Sequence, residues 1–92
     1  MSDDLVNVRK TDLLKLEREI QEYEKAISEA GKRMERAIGA AYWRDSNKER
    51  FAARFKDMKR QTDRFVSGEC QTMAKRLREL AAKVDEFQNS KF

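Results

Sequence analysis

Residues 41–46 read Ala41-Tyr42-Trp43-Arg44-Asp45-Ser46, and the reading of this stretch decides the fold. It carries the only tryptophan of the 92 residues and interrupts, near their midpoint, a helical pattern that is otherwise almost continuous. Amphipathic stretches of nearly equal length lie on either side, so the interruption predicts the tip of a helical hairpin. An aromatic ring at such a tip either pins the turn or anchors a partner.

Toward the N-terminus, Leu13, Leu16, Ile20, Tyr23, Ile27, Ala30, Met34, Ala37 and Ala41 follow alternating spacings of three and four without a miss. Such a heptad seam makes one narrow apolar stripe and favours left-handed packing against a partner helix. The spacing predicts a first helix over 12–41, capped by Thr11 or Asp12, and ~45 Å long at 1.5 Å per residue. Gly31 and Gly39 fall inside it. Each weakens the helix by about 1 kcal/mol relative to alanine, unless it lets another backbone approach closely.

Toward the C-terminus, Ser46-Asn47-Lys48-Glu49 places a glutamate three residues after a serine. That is a capping box, and it predicts a second helix over 47–87 after a turn at 42–46. Phe51, Phe55, Met58 and Thr62 run at helical spacing, and Val66, Cys70, Met73, Leu77, Leu80, Val84 and Phe87 continue in a second register. Between them Thr62, Val66 and Cys70 have two consecutive spacings of four, a stutter that locally unwinds a supercoil. The helix is expected to continue through this joint, where Phe65 and Gly68 also sit, with a bend. Residues 88–92 are expected to fray, while Val6 and Val8 alternate as in an extended segment.

Hydrophobic residues make up 39% of the chain and charged residues 41%, too thin an apolar share for a multilayer core but too regularly placed for disorder. One domain over 1–92 is expected. Because each of two helices offers one stripe and has only one partner, a hairpin alone buries little. The expected fold is all-α, an antiparallel two-helix hairpin that dimerises into a four-helix bundle. Its seam residues, Leu13 to Met34 on one helix and Phe55 to Phe87 on the other, would serve both contacts.

The chain has no proline, which suits long helices, and no histidine, the commonest general base and metal ligand. Cys70 is the only cysteine, so it forms neither an intramolecular disulfide nor a zinc cluster, and on the apolar stripe it reads as a buried, inert thiol. The carboxylates are scattered at helix-surface spacing. No catalytic, cofactor or metal site is therefore expected. No apolar run approaches the roughly 20 residues of a membrane span. Residues 1–10 lack the apolar core of a secretory leader, so synthesis in the cytoplasm without the general secretory route is expected.

Charge is uneven. Residues 1–42 hold eight Lys/Arg and nine Asp/Glu, residues 43–92 thirteen and eight. Arg44, Lys48, Arg50, Arg54, Lys56, Lys59, Arg60 and Arg64 cluster after the tip, interrupted by Asp45, Glu49, Asp57 and Asp63. A solvated face with i, i+4 pairs explains this pattern as well as an acidic partner does. Nucleic acid is disfavoured as a partner, since no zinc module, aromatic sheet platform or compact recognition helix accompanies the charge.

Together these features resemble the W-x-G (ESAT-6-like) family of small type VII secretion helical-hairpin proteins. Val6, Val8 and Leu13 match the paired apolar residues and first core position that open many members. Trp43-Arg44-Asp45 stands at the family's Trp-x-Gly turn, and Phe51 matches the aromatic eight residues after the tryptophan. The chain departs in having Asp45 where the glycine stands, which a left-handed turn position accepts at some cost. It also has no tyrosine after Tyr42 to make the C-terminal Tyr-x-x-x-acid export signal. Val84, Asp85 and Phe87 supply a looser hydrophobic-acidic pattern, whereas Phe65-x-x-x-Glu69 falls in mid-helix.

The resemblance implies a non-enzymatic interaction protein that pairs with itself or with a sibling hairpin. It would be a type VII substrate, exported without a leader, or the escort of a larger toxin to a secretion ATPase. The Trp43, Asp45 and Phe51 turn motif would be its partner anchor. The alternative is a cytoplasmic coiled-coil adaptor or chaperone unrelated to secretion, whose heptads would be identical.

Overall fold

The computed structural model describes residues 8–89. Two helices account for nearly all of them: α1, Lys10–Ala40, and α2, Ser46–Asn89, packed against each other along their length as an antiparallel hairpin. The molecule is a rod of 72 × 18 × 14 Å with a radius of gyration of 20.4 Å. A compact domain of this length would have a radius near 12 Å, so most side chains have water or a single neighbouring helix beside them.

Both helices start earlier than the capping signals in the sequence suggest. At α1 the cap is Arg9, extended and without a side-chain hydrogen bond, rather than Thr11 or Asp12. The free Asp12 and Leu13 N–H groups are met by the Arg9 carbonyl at 3.1 and 3.2 Å. At α2 the cap is Asp45. Its Oδ1 accepts the Asn47 N–H at 2.8 Å and its carbonyl accepts that of Lys48 at 3.2 Å. Ser46 is thereby the first helical residue instead of the cap, and the Asp45 carboxylate also suits the positive end of the helix dipole.

α1 ends where Ala41 turns extended, at φ −66° and ψ 137°, with its N–H closing onto the Ala37 carbonyl at 3.0 Å. None of the described residues has a positive φ, so the departure from glycine at Asp45 carries no backbone strain. α2 runs unbroken through the stutter at Thr62, Val66 and Cys70 and continues to Asn89. Residues 88 and 89, in the stretch expected to fray, are helical here, and 90–92 lie outside the described residues, as does Val6. Val8 is half-buried, ahead of α1.

The hairpin's own core is small in every sense. Among the described residues the buried apolar side chains are Val66, Cys70, Ala74, Ala81 and Val84, all on α2. Facing them from α1 are half-buried Leu13, Ile20 and Ile27, with Glu17, Glu24, Ser28 and Gly31 on the next row. Three ion pairs join the helices there. Glu17, 12% exposed, accepts a hydrogen bond from Arg78 at 2.6 Å, Lys10 pairs with Asp85, and Lys59 approaches Glu35 at 3.8 Å. Gly31 lets the Lys59 side chain lie close to α1: a Cβ there would meet the Lys59 Cε at 3.0 Å, and the lysine would have to give by a few tenths of an ångström.

Candidate functional site

The large apolar residues are not in that core. Leu16 (53% exposed), Tyr23 (63%), Phe65 (69%) and Met73 (53%) stand on the surface, with Met34, Phe51 and Met58 also exposed. A fully buried leucine or phenylalanine contributes about 1.5–3 kcal/mol, so a chain that buries Ala and exposes Phe leaves most of its apolar area unused. Single exposed hydrophobics are ordinary, but a contiguous set marks an interaction surface.

These residues are contiguous. Apart from Phe51, which packs at the tip, both helices turn them to the same side of the rod, where they wall two grooves in succession. In the first, Leu16 and Tyr23 of α1 and Phe65 and Met73 of α2 rise around Ile20 and Cys70. Glu19, Glu22 and Glu69 form its charged rim. Toward the tip the second groove is lined by Ile27, Ala30 and Met34 from α1 and Phe55, Met58 and Thr62 from α2. The opposite side of the rod is a polar trough with Gln21, Glu24, Lys25, Ser28 and Lys32 across from Ser67, Gly68, Gln71, Thr72 and Arg78. One side of the hairpin is apolar and the other polar.

The heptad seam read from the sequence therefore divides between two surfaces. Leu13, Ile20, Ile27, Val66, Leu77 and Val84 lie at or near the boundary between helices, half-buried or buried. Leu16, Tyr23, Met34, Met58 and Met73 face outward, with half-buried Phe55, Leu80 and Phe87. Glu17, Ala74 and Ala81, which complete the hairpin contact, carry little signal in the sequence because two are small and one is charged. Cys70 is buried and free, at the floor of the first groove.

At the tip, Trp43 and Phe51 pack with ring centroids 5.8 Å apart at 46°. The extended link carries the indole back over the first turns of α2, and the Lys48 Nζ donates to the Ala41 carbonyl at 3.3 Å, closing the link from the other side. Trp43 remains 37% exposed, and Tyr42 is almost fully so, with the Arg44 guanidinium 5.2 Å from its ring centre. The two aromatics that the sequence places eight residues apart are thus one unit, with an edge left open to solvent.

The basic cluster is partly neutralised within the chain. Lys59 bonds Asp63 at 2.8 Å, and Arg60 pairs with Asp57 at 3.6 Å. The hydrogen bond from Lys59 to Asp63 raises the lysine above its ordinary value of 10.5, against the opposing effect of desolvation. A raised lysine stabilises the fold fully below 10.5, and that contribution is lost only as the pH climbs through the folded value. Lys59 and Asp63 also line the second groove, so that this pair forms its charged edge.

Among the described residues no helix is long and apolar enough to cross a membrane, and no group of three or more His, Cys, Asp or Glu is placed to hold a metal ion. No family model, curated protein or solved structure matches this chain.

Proposed function

We propose that this chain is a non-enzymatic interaction protein that works by pairing with a second helical hairpin. The observation that carries the reading is the partition of side-chain size: small residues inside the hairpin, large apolar ones along a single outward side. A second pair of helices laid on that side would complete a four-helix bundle and give those residues a core. Through its resemblance to the W-x-G family, the chain is a type VII secretion substrate or the escort of a larger toxin to a secretion ATPase. In that role it leaves the cytoplasm without a cleavable leader. The Trp43–Phe51 unit, half covered and half open, suits an anchor at the end of the bundle.

Asp45 favours a second reading, a coiled-coil adaptor or chaperone that stays in the cytoplasm. It begins α2 as an ordinary helix cap, where the family's glycine would permit a different turn. Capture of the full chain from its native host, with mass spectrometry of the bound proteins and assay of the medium for export, separates the two. Recovery of a sibling hairpin or toxin fragment, with export that stops when the secretion ATPase is deleted, supports the secretion reading. A resident cytoplasmic client and no export support the adaptor.

A further inference from the structure

One end of the rod is apolar, in a chain that is otherwise densely charged. Residues 37–43, Ala37-Ile38-Gly39-Ala40-Ala41-Tyr42-Trp43, carry no charge, and no other uncharged run exceeds five residues. The fold sets this run at the tip, where α1 ends and the extended link begins. All of it is exposed except half-buried Ile38, and Phe51, 41% exposed, adds a third ring beside Trp43. Tyr42 is 89% exposed, with the Arg44 guanidinium over its ring. Cations collar these rings. Arg36 lies one turn before the end of α1, Arg44 in the link, and Lys48 and Arg50 in the first two turns of α2. Arg36, Arg44 and Arg50 have no oppositely charged side chain within 4.0 Å. Of the three carboxylates at this level, Asp45 accepts the Asn47 N–H and Glu35 is approached by Lys59, which leaves Glu49 against the four cations.

We propose that the tip docks end-on to an anionic lipid bilayer, with Tyr42, Trp43 and Phe51 entering the headgroup layer and the basic collar facing the lipid phosphates. Exposed tryptophan and tyrosine set in apolar surface, with arginine and lysine around them, match the boundary between headgroups and acyl chains. The uncharged run is far shorter than the roughly 20 residues of a membrane span, so it enters only that boundary. Area favours lipid over a protein partner at this end. A stable protein interface takes roughly 800 Å² from each side, whereas the rod is 18 × 14 Å across. A bilayer moulds itself around a convex tip and needs no matching cavity. The contact is independent of the pairing reading above, because a hairpin laid along the flank of the rod leaves its end open.

Trp43, the only tryptophan, reports the contact directly in the full-length chain. On titration with vesicles of phosphatidylcholine carrying about a third phosphatidylserine, its fluorescence should shift to the blue and be quenched by brominated acyl chains. Binding should be about tenfold weaker to phosphatidylcholine alone and should fall as salt rises. Tyr42→Ser, at a side chain the hairpin does not bury, should weaken it about fivefold. Arg44→Glu/Arg50→Glu should weaken it about tenfold or more. Both new carboxylates lie near the start of α2, where the helix dipole favours them, and circular dichroism checks that helicity is kept. Lys75→Glu/Lys83→Glu changes the net charge equally but far from the tip, and should leave binding unchanged. Absence of the blue shift and of quenching overturns the proposal, as does a distal pair that weakens binding as much as the tip pair. A short DNA duplex that binds as tightly at the same salt, with the same dependence on Tyr42, would put a nucleic acid at the tip and overturn the lipid assignment.

Discussion

At Asp45 one carboxylate sets where α2 begins, because it meets an N–H that the helix itself cannot satisfy. Asp45→Ala should lower stability by about 1 kcal/mol, Asp45→Gly by only a few tenths, and Asp45→Asn should be nearly neutral. Thermal melts of the three variants check the order. If Ser46 were the cap, Ser46→Ala would instead be the damaging change. Next to it, Trp43 contributes an aromatic contact with Phe51 worth about 0.5–1.5 kcal/mol beyond the area it covers. Since neither helix depends on that contact for its backbone bonds, Trp43→Ala should leave helicity by circular dichroism almost unchanged while weakening partner binding. A large loss of helicity would make the ring mainly a staple for the turn.

At the scale of a helix, two effects can be separated from the pairing surface. Gly68 lies in the middle of α2, where a Cβ would meet nothing within 4 Å. Gly68→Ala should therefore stabilise the chain by about 1 kcal/mol through helix propensity and the unfolded state, raising the melting temperature by several degrees. Across the hairpin, Glu17 is nearly buried and held by Arg78, which is itself half exposed. Removing the arginine leaves a carboxylate poorly solvated and unpaired, so Arg78→Ala should destabilise by about 1 kcal/mol. Glu17→Leu removes the charge along with its need for a partner and should be neutral or stabilising. Urea melts of the two variants give the comparison. Glu17 also explains what the sequence could and could not convey. The periodicity of Leu13 through Ala41 makes α1 plain, and the break at Trp43 makes the hairpin plain. The direction each stripe faces was hidden, because apolar periodicity adds together every surface that avoids water. Leu16 and Tyr23 belong to an outward face and Glu17 to the inner one, yet hydrophobicity alone places the first two inside and the third outside. Asp45 was hidden for a simpler reason: the neighbouring Ser46 and Glu49 make an equally good capping pattern one residue away.

For the whole molecule, the contrast between its slender core and its apolar side ties stability to concentration. Among the described residues the apolar side chains buried within one hairpin are two valines, two alanines and a cysteine, while Phe65, the most exposed of the large groove residues, is 69% open to water. If folding is completed by pairing, the unfolding equilibrium includes dissociation, and the melting temperature must rise with protein concentration. Measured over a hundredfold range of concentration, the wild type should show that rise. Phe65→Asp supplies the control that makes the test decisive. On a hairpin that works alone, an exposed phenylalanine replaced by aspartate would change stability by about 0.5 kcal/mol or less. On a hairpin that pairs, the same change puts a charge into a dry interface. The variant should then melt lower than wild type at high concentration, converge toward it on dilution, and lose the concentration dependence. Equal melting of the two proteins at every concentration would mean that the apolar side stays open to water and that the rod is complete as a single chain.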